Sequence, residues 1–334
     1  MIESAVQRVS GSLYGLAYGD ALGKDTEFLT VDEIVRRYGP AGPRELIGDP
    51  ALVTDDTQMA LAVAWALREA PALTPEAVEP LLRARFLAWA ASPENNRAPG
   101  MTCLRACGEL ARGVRWQEAT QAGSKGCGAN MRVTPVGLLD VDLDTLAGLA
   151  QLQAGLTHGH PTGLAASELT AYAVRALRDG ATLPDLPDLL VGHAQRQRRV
   201  YRHEWLGDLW QQPGVTDPAE FIARGWDECL AALARLTRAL AGPDDGGDPC
   251  RETGEGWVAE EALATALLCA VRHADDPVTA LARGATTAGD SDSIAALAGA
   301  FVGAAHGMAA WPADWATRIE YADQLHTLAR FFTR

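Results

Sequence analysis

Cysteine is sparse in this chain of 334 residues: Cys103, Cys107, Cys127, Cys229, Cys250 and Cys269 lie scattered, with no C-x-x-C pair. A disulfide framework is therefore excluded, and a reducing, cytoplasmic setting is expected. The opening Met1-Ile2-Glu3-Ser4 has neither a basic stretch nor an apolar run, so no secretion signal is read there. Basic residues are in deficit, 29 against 43 acidic, for a net charge of −14. That field repels phosphate backbones and argues against nucleic acid as a partner, except as a modified acceptor. Long, strongly hydrophobic runs are also missing. The most apolar stretch, Ile294 to Trp311, consists mostly of Ala and Gly, and mean hydropathy is −0.05. It reads as a buried core helix whose Gly299, Gly303 and Gly307 admit close neighbours; no membrane association is expected.

Runs of β-branched and aromatic residues with two-residue alternation are scarce. Helical spacing is present instead. Leu13, Leu16, Ala17 and Ala21 share one face, Met59, Val63 and Leu67 another, and Ile294, Leu297, Ala298, Phe301, Val302 and Ala305 a third. Helix formers also dominate Val258 to Val271. The expected fold is all-α, a compact orthogonal multi-helix bundle. Loops are marked at Ser92–Gly100, Gly123–Gly128, Thr182–Pro187 and Ala241–Gly256, the last being a candidate mobile surface segment. No interdomain linker or internal repeat is visible, so one domain over 1–334 is expected. Arg196, Arg198, Arg199 and Arg202 form a basic patch, readable as a solvated helix face or as a contact for an anion.

Two acidic clusters open helices: Thr54-Asp55-Asp56-Thr57 and Gly289-Asp290-Ser291-Asp292-Ser293. Capping is the simple reading. Asp55 with Gln58 resembles a capping box, and Asp292 suits the start of the last long helix. Capping needs one side-chain oxygen per helix, however, and each cluster offers two carboxylates with hydroxyls besides. Hard divalent cations, Mg²⁺ or Mn²⁺, would supply the missing positive charge, and two such clusters could converge on a binuclear site. Further elements are Gly19-Asp20-Ala21-Leu22-Gly23 with Glu27, a glycine-rich loop Gly123-Ser-Lys-Gly-Cys-Gly-Ala-Asn-Met-Arg132, and Thr157-His-Gly-His-Pro161. Asp20 reads as a buried polar residue. Glycines 123, 126 and 128 let backbone N–H groups approach an anion, the more so if a helix starts after them. The two histidines suggest a transition metal only if a third ligand joins them.

In their order along the chain these elements resemble the ADP-ribosylglycohydrolase family. The segments that carry the resemblance are GSLYGLAYGDALGKDTEF (11–28), VTDDTQMALAVAWAL (53–67), APGMTCLRA (98–106), GSKGCGANMRVTPVGLL (123–139), THGHPTGLAAS (157–167), GEGWVAEEALATAL (254–267) and GDSDSIAALAGAFVGAAHG (289–307). The resemblance implies an all-α fold with two Mg²⁺ or Mn²⁺ ions at the base of a cleft. By motif match the metal ligands fall on Thr54, Asp55, Asp56, Asp290, Asp292 and Ser293, with Ser293 where the family usually has Thr. Glu27 matches a glutamate beside the metals whose loop can move, and Glu27, Asp55 and Asp56 are the candidate proton acceptors. Ser124, Gly126, Cys127, Gly128, Asn130, Met131 and Arg132 match the loop that holds the diphosphate and the distal part of ADP-ribose, with Cys127 in place of a frequent Asn. His158 matches a histidine lining the same cleft. The implied activity is hydrolysis at ribose C1″ of an ADP-ribosylated acceptor, foremost a protein, with release of ADP-ribose. The competing readings are a non-catalytic ADP-ribose-binding relative and a phosphoesterase acting on the diphosphate.

Overall fold

The structure is a computed structural model that describes residues 2–333. Its regular elements are helices. Among the described residues extended pairing is limited to isolated bridges such as Gly126 with Val258 and Ala51 with Ile319. The helices that position the site are α1 (Ile2–Gly23), α2 (Asp55–Glu69), α3 (Met101–Ala111), α4 (Leu143–Gly155), α5 (Pro161–Arg178), α6 (Pro218–Ala241), α7 (Ala259–Arg272) and α8 (Ser291–His306). None is long and apolar enough to cross a membrane.

Helix α8 is the buried centre, as its Ala/Gly composition predicts: Ile294, Leu297, Phe301 and Val302 are fully enclosed. It runs antiparallel to α1 at backbone contact. A Cβ added at Gly15 would overlap Gly299, one at Gly11 would overlap Gly303, and one at Gly19 would overlap Ala295. Helices α5 and α7 pack on α8, and α6 packs on α5 and α7. Trp226, Phe221, Phe86 and Trp315 fill the spaces between layers.

Three local expectations need correction. The cap of α2 is Thr54, whose hydroxyl accepts from Asp56 N, so Asp55 and Gln58 form no capping box. Asp290, not Asp292, occupies the cap position of α8, and its side chain makes no capping bond. Thr182–Pro187 is a tight 3-10 turn, Leu183–Asp185, leading into a helix that starts at Leu186. The segment Ala241–Gly256 divides in two. Residues 241–246 are exposed, whereas Asp248, Cys250 and Thr253 are buried around the short helix Cys250–Thr253. Of the basic patch, Arg196 and Arg199 are exposed and Arg198 pairs bidentately with Asp227, as on a solvated face, whereas Arg202 is largely buried and reaches Asp144 and Gln197.

Candidate active site

The two acidic clusters meet at the floor of a cavity of about 580 Å³. The approach to α2 is held from three sides. Asp20, fully buried on α1, accepts from Thr54 N (3.0 Å), Thr54 Oγ1 (2.8 Å), Thr57 N (3.0 Å) and Thr57 Oγ1 (2.5 Å). Glu320 accepts from Val53 N at 3.0 Å, and Arg97, paired with Glu320 at 2.6 Å, donates to Val53 O. Gly100 N donates to Asp55 Oδ2 at 3.0 Å. The backbone is thus fixed before any ligand binds, and Asp55 and Asp56 line the cavity, each with one carboxylate oxygen engaged by the protein, Asp55 Oδ2 by Gly100 N and Asp56 Oδ2 by Thr54 Oγ1.

From the other side α8 brings Asp290, Asp292 and Ser293. Thr54 Oγ1 lies 3.4 Å from both Asp56 Oδ2 and Asp292 Oδ2. Glu27, Asp290 and Asp292 each place a carboxylate oxygen within 4.8 Å of the others, so the half-buried Glu27 belongs to the same cluster as the α8 aspartates. Asp56 Oδ1 is buried with no hydrogen-bond partner. Burial, reinforced by the charge of neighbouring carboxylates, pushes these groups toward the protonated form: Asp20 and Asp55 up to about 7, Glu27 up to about 9, and Asp56, Asp290 and Asp292 upward as well. Surplus buried carboxylates with an unsatisfied oxygen are the donor set that hard cations require, so the residues fit a divalent-metal centre.

The glycine-rich loop splits into two faces. Gly126, Cys127, Gly128 and Met131, with His158, lie on the cavity wall. Asn130 and Arg132 do not reach it: both are fully buried behind it. Asn130 Nδ2 donates to Ala259 O, and Arg132 donates to Gln153 and Thr157. Ser124 is one step back from the wall, 3.0 Å from the hydroxyl of Thr102. Lys125 turns away to bridge Glu228 and Glu260, which stitches the loop to α6 and α7. The loop leads into a 3-10 turn, Cys127–Ala129, and then the four-residue helix Thr134–Gly137, so the loop itself brings no long helix N-terminus to the cavity. His160 caps α5, its Nδ1 accepting from Thr162 N, which leaves His158 alone at the wall and removes the paired-histidine metal reading.

Two aromatics at the mouth carry no sequence motif of their own. Phe28, 69% exposed with φ at 66°, stacks on Trp257, 39% exposed, with ring centroids 5.7 Å apart. The signal available for Trp257 was its place directly after Gly254 and Gly256, both of positive φ.

An all-helical bundle with a carboxylate-lined, metal-competent cleft defines the class. The chain matches the ADP-ribosylglycohydrolase family over residues 1–334, and it belongs to that family. It is 26% identical to an ADP-ribosylhydrolase, ARH3, of Bos taurus over 99% of this chain and 93% of that protein. It is 34% identical to the ADP-ribosyl-[dinitrogen reductase] glycohydrolase of Rhodospirillum rubrum over 49% of this chain. There it spans 55% of the relative's length, the same share as for a protein of Archaeoglobus fulgidus. A solved structure described as an ADP-ribosylglycohydrolase-related protein complex shares the fold, with a TM-score of 0.69, 24% identity and 99% of each chain covered.

Proposed function

We propose that this chain is a single-domain hydrolase dependent on two divalent cations, Mg²⁺ or Mn²⁺, that cleaves the glycosidic bond at ribose C1″ of an ADP-ribosylated protein and releases ADP-ribose. The observation that carries the reading is the convergence of two distant acidic clusters and Glu27 on one cavity floor beside a glycine-lined wall. The names of the relatives point to the same substrate class.

Thr54, Asp55, Asp56, Asp290, Asp292 and Ser293 would hold the cations. When bound, these supply Lewis-acid charge that orients the ribose hydroxyls and acidifies water. The chain's own residues do the rest. Gly126 and Gly128 leave room for the diphosphate against the wall. Asp20, Glu320 and Arg97 hold the Thr54–Asp56 backbone so that the sugar meets a preformed floor. Cleavage builds positive charge at C1″, which the acidic floor favours. Glu27, whose carboxylate lies within 4.8 Å of those of Asp290 and Asp292, would take a proton from the attacking water and return one to the departing acceptor, the bound cations holding it ionised for the first step.

The test is product analysis on an ADP-ribosylated protein with and without chelator. Intact ADP-ribose, formed only with Mg²⁺ or Mn²⁺, supports the reading. AMP with ribose phosphate would make the chain a phosphoesterase, and binding without turnover would make it a non-catalytic relative.

A further inference from the structure

Arg132 is fully buried and its guanidinium rests on the face of Phe86, 4.2 Å from the ring centre. Its donors go to neutral partners: Nε to Gln153 Oε1 (2.8 Å), and one terminal nitrogen to Gln153 O (2.6 Å) and Thr157 Oγ1 (2.8 Å). A guanidinium only donates, so Thr157 Oγ1 must accept from it. The hydroxyl proton of Thr157 then has two possible acceptors. One is Ala154 O, at 3.5 Å. That carbonyl already accepts from Thr157 N (3.1 Å) and His158 N (2.8 Å), so both its lone pairs are engaged. The other is His158 Nδ1, at 2.8 Å. The proton goes to Nδ1. A neutral imidazole that accepts at Nδ1 carries its own proton on Nε2. That nitrogen faces the glycine wall, 3.5 Å and 3.4 Å from where a Cβ would sit on Gly126 and Gly128.

We infer that buried Arg132, acting through the Thr157 hydroxyl, fixes His158 as the neutral Nε2–H tautomer, so that the ring presents a hydrogen-bond donor, not a base, to a phosphate oxygen of the ligand. Arg132 and Thr157 are thus positioning residues for His158, although neither lines the cavity. The tautomer stands on the hydrogen bonds alone; the identity of its acceptor rests on the ADP-ribose reading above. Burial together with the nearby guanidinium also disfavours the imidazolium, in keeping with a neutral donor.

Histidine-selective ¹⁵N spectra of the whole, ligand-free chain decide the tautomer, with the His158 signal assigned by its loss in His158→Gln. Nε2 protonated and Nδ1 bare is the expected pattern; the reverse overturns the inference. Thr157→Val should shift the Nδ1 resonance and weaken ADP-ribose binding by about tenfold, as expected for one net hydrogen bond. Thr157→Ser should restore both. An unchanged spectrum and unchanged affinity in Thr157→Val would also overturn it. Arg132→Met removes the donor directly, but the Thr157 pair carries the test should that variant fail to fold. If the tautomer is as stated and ADP-ribose still does not bind the wild-type chain, the relay stands and the ADP-ribose reading falls.

Discussion

Removing divalent cations should make the stability of this protein depend steeply on pH, in the direction opposite to ordinary acid denaturation. Most carboxylates in folded proteins are held ionised by partners, so stability falls as pH drops. Here Asp20 and Asp55 are shifted upward from 3.8 to about 7, and Glu27 from 4.5 to about 9, because they are buried among like charges. The folded chain therefore keeps protons that the unfolded chain has released. Its stability is full below about pH 4 and declines as pH rises through 7 toward 9. At 1.36 kcal/mol per pKa unit, Asp55 alone corresponds to roughly 4 kcal/mol. The cluster titrates as a unit, so the individual shifts do not add. Unfolding entropy of roughly 2.1 cal/mol/K per residue gives this chain roughly 0.7 kcal/mol/K, so a loss of that size lowers the melting temperature by ~6 °C. The assay is thermal melting in chelator at pH 5, 6, 7 and 8, repeated with Mn²⁺. Melting should fall by several degrees across the series without metal and be restored by Mn²⁺, most of all at pH 8, because cation binding requires the ionised ligands. A flat chelated series, coincident with the Mn²⁺ series, would refute the convergence of these carboxylates on a cation site.

Asp292→Asn keeps side-chain size but removes one charge from the set facing Glu27 and Asp290; Mn²⁺ affinity by calorimetry should drop at least tenfold. Glu27→Gln should lower turnover by ~10²-fold while Mn²⁺ still binds, and normal turnover would remove Glu27 from the chemistry. A Cβ at Gly128 would meet Cys103 Sγ at 3.1 Å and His158 Cε1 at 3.2 Å, so Gly128→Val should abolish ADP-ribose binding through loss of space; Gly128 is not among the glycines of positive φ. Cys127→Ala, which removes one weak donor, should stay within a few-fold of wild type in the same titration.

What the sequence made legible was chemical type and helical period. Four aspartates in two clusters exceed any capping need, and the stripes of Leu13, Met59 and Ile294 each found the core. What it hid was the direction of side chains on a non-periodic backbone. Residues 126–132 run through a 3-10 turn, so Cys127, Gly128 and Met131 face the cavity while Asn130 and Arg132, a step away, face the core. No two- or 3.6-residue rule predicts that alternation. The Phe28–Trp257 stack is hidden for another reason: each aromatic is unremarkable in its own segment, and only the fold sets them face to face.

The placement of Glu27 over the α8 aspartates has a cause that can be traced to glycine. Gly11, Gly15, Gly19 and Gly23 repeat every four residues along α1, as Gly299, Gly303 and Gly307 do at the end of α8. Only the second stripe is conspicuous in an apolar run, yet the first is its counterpart: Gly11 meets Gly303, Gly15 meets Gly299, Gly19 meets Ala295, and Gly23 meets Asp292. Backbones in contact cannot slide by a fraction of a turn without overlap, so the register of this antiparallel pair is fixed. Because the two helices run in opposite directions, the C-terminal end of α1, with Asp20 and the turn to Glu27, must lie beside the N-terminal end of α8, with Asp290 and Asp292. Side-chain packing of ordinary size would have left these ends several ångströms further apart. Two stripes that lack side chains thus set the spacing of the carboxylates that the site depends on.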